Sequence, residues 1–238
     1  MKSEIDVLGT LLSIGQIVVF LPVVLSICAA FFNKRAASLF MLVIGLVAAL
    51  YVGVVALYAL LSIAVFAAVC VLFTVTKNKW FKLALAVVIF VMSVMFMIHA
   101  MPGFNNPIMV KDVVISEGAS AYTKYLNFDK AVLAVVLLLF IAPRPKPITK
   151  NDALQLSLLL MAMFVVVFGA ALAIGFVKFD PKMSSILFGW FITNLFFTCC
   201  AEEAFFRGFI QQQLSNVVRK TFIAQISVVL FSGILFGV

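Results

Sequence analysis

Long apolar runs separated by short polar breaks dominate this chain. A helix needs about 20 consecutive apolar residues to cross a hydrocarbon core of about 30 Å, so each run is measured against that length. Val7–Phe32 reads as a first span, with Pro22 as a kink. Between Arg35 and Lys77 lie 41 residues without a charge. That is too long for one span and fits two joined by a turn over Tyr51–Tyr58, where Gly53 sits. Phe81–Ala100 makes a fourth span. The stretch 101–128 holds Pro102, Gly103, Asn105, Asn106 and Pro107, which end a helix. Asp129–Ala142 is a short fifth span, Asp152–Val177 a sixth and Ser184–Gln213 a seventh. An eighth starts at Thr221 and still runs at Val238. Asn151/Asp152 and Ser184/Ser185 are candidate caps for spans six and seven. The pattern predicts an all-α, polytopic membrane bundle of about eight transmembrane helices, without internal repeat or separate soluble domain.

Charge supports the division. Lys34/Arg35, Lys77–Lys82, Arg144–Lys150 and Arg219/Lys220 all fall on one side if 36–76 is two spans, as the positive-inside bias requires. The N-terminus and the loop 101–128 then lie outside. A single span over 36–76 would put the two first basic clusters on opposite faces. The run after Lys2, Glu4 and Asp6 is too long for a cleaved signal peptide.

Composition adds the class. The chain is 66% hydrophobic and 11% charged, against about 45–50% and about 25% in soluble domains. Its net charge of +8 sits in short interhelical loops, so it carries no nucleic-acid signal. Cys28, Cys70, Cys199 and Cys200 lie in apolar runs and read as free thiols rather than a disulfide framework.

Within the apolar part of the seventh span stand Glu202, Glu203 and Arg207. Ionisable groups at membrane depth are costly and face a protein interior or wet cavity. Glu203 and Arg207, spaced i,i+4, can pair on one helix face, and the pair is expected to be buried. Glu202 points elsewhere and has no partner on its own helix. Asn194 and Thr198 precede it at intervals of four, so the three form a polar stripe and mark a hydrated groove. Phe206 joins them as a groove candidate. Glu202 lies about 27 Å along the helix at 1.5 Å per residue, toward the cytoplasmic end. A carboxylate in such a groove suits general-base work. The bland alternative is a structural ion pair plus a polar packing residue.

Glu202-Glu203-Ala-Phe-Phe-Arg207-Gly208 resembles the Glu-Glu-x-x-x-Arg motif of the CPBP family, which includes CAAX prenyl endopeptidases and bacteriocin-processing or Abi-type proteins. Ser227 to Val238 is similar to the family's lead-in to Phe-x-x-x-His, with Phe236 as its Phe. The resemblance covers about 152–238. It divides the chain into N-terminal transmembrane helices, 1–151, and the first part of a CPBP-like membrane domain, 152–238, incomplete at its C-terminus.

The resemblance implies an intramembrane endopeptidase. It makes Glu202 the base that activates water, with Glu203 and Arg207 ordering the site. The family's His and Asn motifs are not in this sequence, so the chain by itself is expected to be inactive. Zn²⁺ would suit Glu202, Glu203 and the family's histidines, so whether a metal is used stays open. The one histidine, His99, reads as an interfacial polar residue about 20 Å in depth from Glu202. The implied partners are a membrane-associated peptide substrate (CAAX-type, leader-peptide or signal-peptide-like) and the lipid bilayer. The economical loops point to a bacterial inner membrane. A bacteriocin-immunity or scaffold protein would carry the same motif, and a transporter is a weaker rival because no repeat is visible.

The topology predicts that cysteines placed at 34 and at 78 react with an impermeant maleimide from the same side of the membrane. Labelling from opposite sides would remove one of the two spans within 36–76.

Overall fold

A computed structural model describes residues 14–116, 120–143, 149–180, 184, 186–218 and 221–237. The start of the first span, Ser185, and the basic residues Arg144, Lys146, Lys182, Arg219 and Lys220 lie outside them. One compact unit comprises Met1–Arg144 with Ser185–Val238; the other is Pro145–Ser184.

The first unit begins with four helices: α1 (Ile14–Phe31), α2 (Arg35–Val52), α3 (Ala59–Val75) and α4 (Lys79–Met97). The uncharged run 36–76 is two helices, as its length requires. Gly53 ends α2 with φ 81° and its N–H returns to the carbonyls of Ala49 and Leu50. That left-handed C-cap suits glycine. Asn78 caps α4 through its side chain, which accepts from the Trp80 and Phe81 N–H groups.

The loop before the fifth helix is not irregular. Ile108–Val113 (β1) and Tyr122–Tyr125 (β2) pair antiparallel, which corrects the purely α-helical expectation. Val, Ile and Tyr supply the β-propensity, and the short apolar pieces were masked by neighbouring turn residues. The loop also docks on the α2–α3 turn: Ala56 N donates to Gly103 O at 2.8 Å and Asn105 N to Val54 O at 2.8 Å.

Helix α5 (Phe128–Phe140) comes next, and ten of its 13 residues are buried. At 1.5 Å per residue it is about 20 Å long, too short to cross the hydrocarbon core. It packs against α1, α2, α3, α4 and the segment 195–211. It is the central post of this unit.

The second unit holds α6 (Lys150–Ala173). Its cap is Thr149, in a reciprocal box with Asp152, two to three residues before the expected Asn151/Asp152.

In the first unit, helical structure resumes at α7 (Leu187–Asn194), passes through a π turn at Leu195–Cys199, α8 (Cys200–Phe205), a second π turn at Phe206–Gln211 and α9 (Gln212–Val217). Helix α10 (Phe222–Gly237) closes the described chain. Phenylalanines fix this segment to three earlier helices. Ring centroids are 5.2 Å apart for Phe197 and Phe20 of α1, 5.6 Å for Phe205 and Phe90 of α4, and 6.1 Å for Phe209 and Phe73 of α3. Edge-on and tilted pairs at these distances add to burial. The residue before Leu187 is Ile186, so Ser184 is not the cap.

Three described helices are long and apolar enough to span a membrane: Arg35–Val52, Lys79–Met97 and Lys150–Ala173. Gly15–Phe31, Ala59–Val75 and Ile223–Ile234 are apolar and shorter. The architecture is mostly helical, with three candidate membrane-spanning helices among the described residues; a count of eight is not confirmed.

Helices α1 and α2 meet through small residues. Ser26 Oγ donates to Ser38 O at 2.8 Å, and Ser38 Oγ donates to Ser26 O at 2.9 Å, both buried. A Cβ on Gly45 would lie 2.7 Å from Val23 Cγ2. Small residues let apolar helices approach where no hydrophobic driving force separates protein from lipid. Ser38→Ala is predicted to cost about 0.6–1.7 kcal/mol, and Gly45→Leu more, by forcing the helices apart. Unfolding of purified protein in detergent and denaturant measures both; an unchanged Gly45→Leu midpoint would refute this contact.

Candidate active site

The three charged residues of the Glu-Glu-x-x-x-Arg stretch lie on α8 and the π turn after it. Two π turns flank one and a half turns of α-helix. Hydrogen bonds in a π turn run from i to i+5, so each inserts an extra residue and rotates the remainder of the helix. Such insertions recur at functional sites. Here they break the fixed interval of four on which the stripe Asn194, Thr198, Glu202 was built.

Arg207 Nε lies 3.0 Å from Glu203 Oε2, the pairing its i,i+4 spacing predicts. The pair is not buried: the side chains are 73% and 44% exposed. Glu203, Phe206 and Arg207 line a pocket of about 310 Å³ with Gln211, Val229, Ser232 and Gly233. The far wall of that pocket comes from α10.

Glu202 is placed differently. Its partner is non-local: Lys130 Nζ, in the first turn of α5, lies 4.0 Å from Glu202 Oε1, with side chains 13% and 23% exposed. This is ion-pair range and beyond hydrogen-bond range. The lysine therefore offsets the charge while leaving the carboxylate oxygens free to accept from another donor.

Asn194 faces the same region from α7. Its Oδ1 accepts from Lys124 Nζ of β2 at 2.5 Å. Lys124 is held below the ordinary lysine pKa, first by burial and then by the Lys130 charge, while Cys199 and Glu202 pull the other way. Asn194 is bonded to Lys124 and Glu202 is paired with Lys130, and the two lysines influence one another. Thr198 does not join them through a bond, since its buried Oγ1 has no hydrogen-bond partner among the described residues. Phe206 lines the other pocket, with Glu203.

Lys130 owes its position to a network that the sequence concealed. Asp129, on α5, is fully buried. Its Oδ2 lies 2.6 Å from His99 Nδ1, and its Oδ1 accepts from Asn106 Nδ2 at 3.0 Å and from the Lys130 N–H at 2.8 Å. Asn106 Oδ1 in turn accepts from the Phe128 N–H at 2.8 Å. Donors of the helix start are thereby satisfied, as a buried N-terminus demands. His99 is thus a partner of a buried carboxylate rather than a merely interfacial residue. It reaches Asp129 while Glu202 reaches Lys130, two consecutive residues of one turn. His99 carries φ 61°, a left-handed conformation that is uncommon outside glycine and held here by this network. The signal for these residues was faint: Asn106 and Lys124 lay in a stretch read as loop, and Asp129-Lys130 at a span boundary.

Gly208 explains the residue after the arginine. A Cβ there would lie 3.2 Å from Ala142 Cβ, so the second π turn presses on the end of α5. Glu202 and Gly208 contact opposite ends of that helix.

Consecutive Glu202 and Glu203 turn to different partners, and no group of three His, Cys, Asp or Glu comes together among the described residues.

Residues 183–238 match a family model described as Rce1-like, type II CAAX prenyl endopeptidase. The matched stretch is the one that carries Glu202, Glu203 and Arg207, and it agrees with the resemblance to CPBP intramembrane proteases. Among the described residues, three helices are long and apolar enough to cross a membrane, the setting in which such an endopeptidase would work. No curated protein and no solved structure matches the chain.

Two stability outcomes follow from the contrast between the carboxylates. Asp129→Ala is predicted to destabilise by several kcal/mol, since buried donors left unmade cost about 1–3 kcal/mol each. Arg207→Ala is predicted to change stability by under about 1 kcal/mol, the range of exposed ion pairs, in place of the larger loss a buried pair would give. Melting curves in detergent decide both, and a larger loss for Arg207→Ala would reverse the ranking.

Proposed function

We propose that this chain carries the water-activating residue of an intramembrane endopeptidase, with Glu202 as the general base. The observation that supports the choice of carboxylate is the 4.0 Å separation from Lys130. Glu202 is charge-compensated without being hydrogen-bonded to that lysine, so it can accept from water. Glu203 is ion-paired with Arg207 at 3.0 Å, which suits an ordering role.

In the reaction, the water oxygen forms a bond to the carbonyl carbon of the substrate peptide as Glu202 takes its proton. The tetrahedral adduct then loses its C–N bond. The proton from Glu202 passes to the departing amine nitrogen, and the acyl part leaves as a carboxylic acid. General-base assistance of this kind contributes typically about 10²–10⁴-fold. Asn194, held by Lys124, is a candidate to contact the substrate backbone. Phe206 and the pocket beside Glu203 are candidates for an apolar substrate side chain or lipid group. The substrate is a membrane-associated peptide of CAAX, leader-peptide or signal-peptide type, and the setting a bacterial inner membrane.

The test is cleavage of a membrane-bound peptide by the protein reconstituted in lipid vesicles. Glu202→Gln is expected to fold, bind substrate and lose at least about 10²-fold in kcat. Glu203→Gln is expected to lose less. Turnover of Glu202→Gln near wild type, with Glu203→Gln stable and inactive, would exchange the two roles. Full activity in both would leave a non-enzymatic membrane role.

A further inference from the structure

Five charged or titratable side chains converge where α5 begins, and they come from four separate parts of the chain. Asp129 and Lys130 belong to α5, Lys124 to β2, His99 to the turn after α4, and Glu202 to α8. Asp129 is committed to His99 and Asn106. Lys124 is committed to Asn194. Glu203 is committed to Arg207 on another face. Lys130 is the cation of this group that lies within ion-pair distance of Glu202.

We propose that Lys130 is a positioning residue for Glu202, set in place by the hairpin and the His99–Asp129–Asn106 network. This rests on the reading of Glu202 as the base. The side chain of Lys130 is 13% exposed, so its ammonium is held largely away from solvent, where a neighbouring charge is weakly screened. Its backbone N–H is bonded to Asp129 Oδ1 at 2.8 Å, which fixes where the side chain starts. Lys124 blocks one direction of escape, since bringing two ammonium groups together is unfavourable. What remains is a cation facing Glu202 at a distance that compensates charge and forms no hydrogen bond. The role is electrostatic and directional. It turns one oxygen of Glu202 toward the lysine, leaving the other for water.

The fit is chemically specific. Arginine can keep the charge at this position. Methionine keeps the length and apolar stem and loses the charge. Lys124→Met removes the second cation, which is bonded to Asn194 rather than Glu202, and serves as the distance control. The groups facing Glu202 that can also titrate or carry charge are Lys124 and Cys199, and both are kept in the Lys130 variants.

The experiment measures carbodiimide labelling of this chain in lipid vesicles at neutral pH, read by peptide mass spectrometry. A hydrophobic carbodiimide attacks carboxyl groups that carry a proton, so it reports on Glu202 without any cleavage assay. Lys130→Met is expected to raise Glu202 labelling by about tenfold or more, because an opposite charge within 4–6 Å biases ionisation by roughly that factor. Lys130→Arg is expected to stay within about twofold of wild type, and Lys124→Met to change it by less than Lys130→Met does. Labelling of Glu203 on the next residue is the control for reagent access and should not move. Lys130→Gln replaces Lys130→Met if the latter does not fold, with the same expected result. Glu202 labelling that is the same in Lys130→Met as in wild type overturns the proposal. So does a rise shared equally by Glu203, which would mean local unfolding. In the cleaving protein the same variant should lower kcat, leave KM within about threefold and move the pH profile, with rescue by arginine. If Glu202→Gln still cleaves, the catalytic reading fails, yet the labelling result stands or falls by itself.

Discussion

Burial of a polar helix start is the constraint on which the rest of this structure depends. Helix α5 has ten of its 13 residues buried, so its N-terminal N–H groups have no water to meet. Unmade backbone bonds in such a place are expensive. Asn106 and Asp129 meet the Phe128 and Lys130 N–H groups, and His99 completes the shell. A carboxylate at a helix N-terminus also suits the positive end of the helix dipole. The loop that supplies Asn106 and His99 must therefore sit in one place. The bonds from Gly103 and Asn105 to the α2–α3 turn hold it there. From that anchored turn the chain can present Lys130 outward, toward α8, at a fixed point.

Helix α5 also controls the other end of the site. Gly208 lets the second π turn settle on Ala142, while Glu202 faces Lys130 near the first turn. Two π turns, one on each side of α8, absorb the mismatch between the helix pitch and the post it runs along. The phenylalanines at 197, 205 and 209 lock the result against α1, α4 and α3. The charged segment is positioned by apolar packing, and its polar groups then divide between two faces.

Hydropathy made most of the helices legible because each must satisfy its own backbone in an apolar setting. The two helices within 36–76 followed from length alone, and Gly53 fell inside the expected turn. Glu203–Arg207 followed from spacing. Three things were not legible. The hairpin Ile108–Val113 with Tyr122–Tyr125 is too short to outweigh the Pro, Gly and Asn residues around it. The π turns leave no signature in composition, so a stripe drawn at intervals of four assigned Asn194 and Thr198 to one role. Asn194 in fact meets Lys124, and the buried Thr198 hydroxyl meets no described partner. Finally, the ionic partner of Glu202 sits 72 positions earlier, at Lys130, and no local pattern links the two. Long-range pairs of this kind are set by tertiary packing.

Neighbouring carboxylates with the same side chain acquire different chemistry from their surroundings. Glu203 is exposed, ion-paired at 3.0 Å with a guanidinium, and lines an open pocket. Glu202 is more enclosed and faces an ammonium at longer range. A point charge at that distance faces one oxygen without a hydrogen bond to it. An ordering group benefits from the first arrangement, since its value lies in holding a rotamer. A proton acceptor benefits from the second, since it needs a free lone pair and a charge that stays put until water arrives. The single residue offset between 202 and 203 turns the side chains by about 100° on a helix, which is enough to separate those environments. The double glutamate is therefore a way of placing one carboxylate on each of two faces, with one turn of helix serving both.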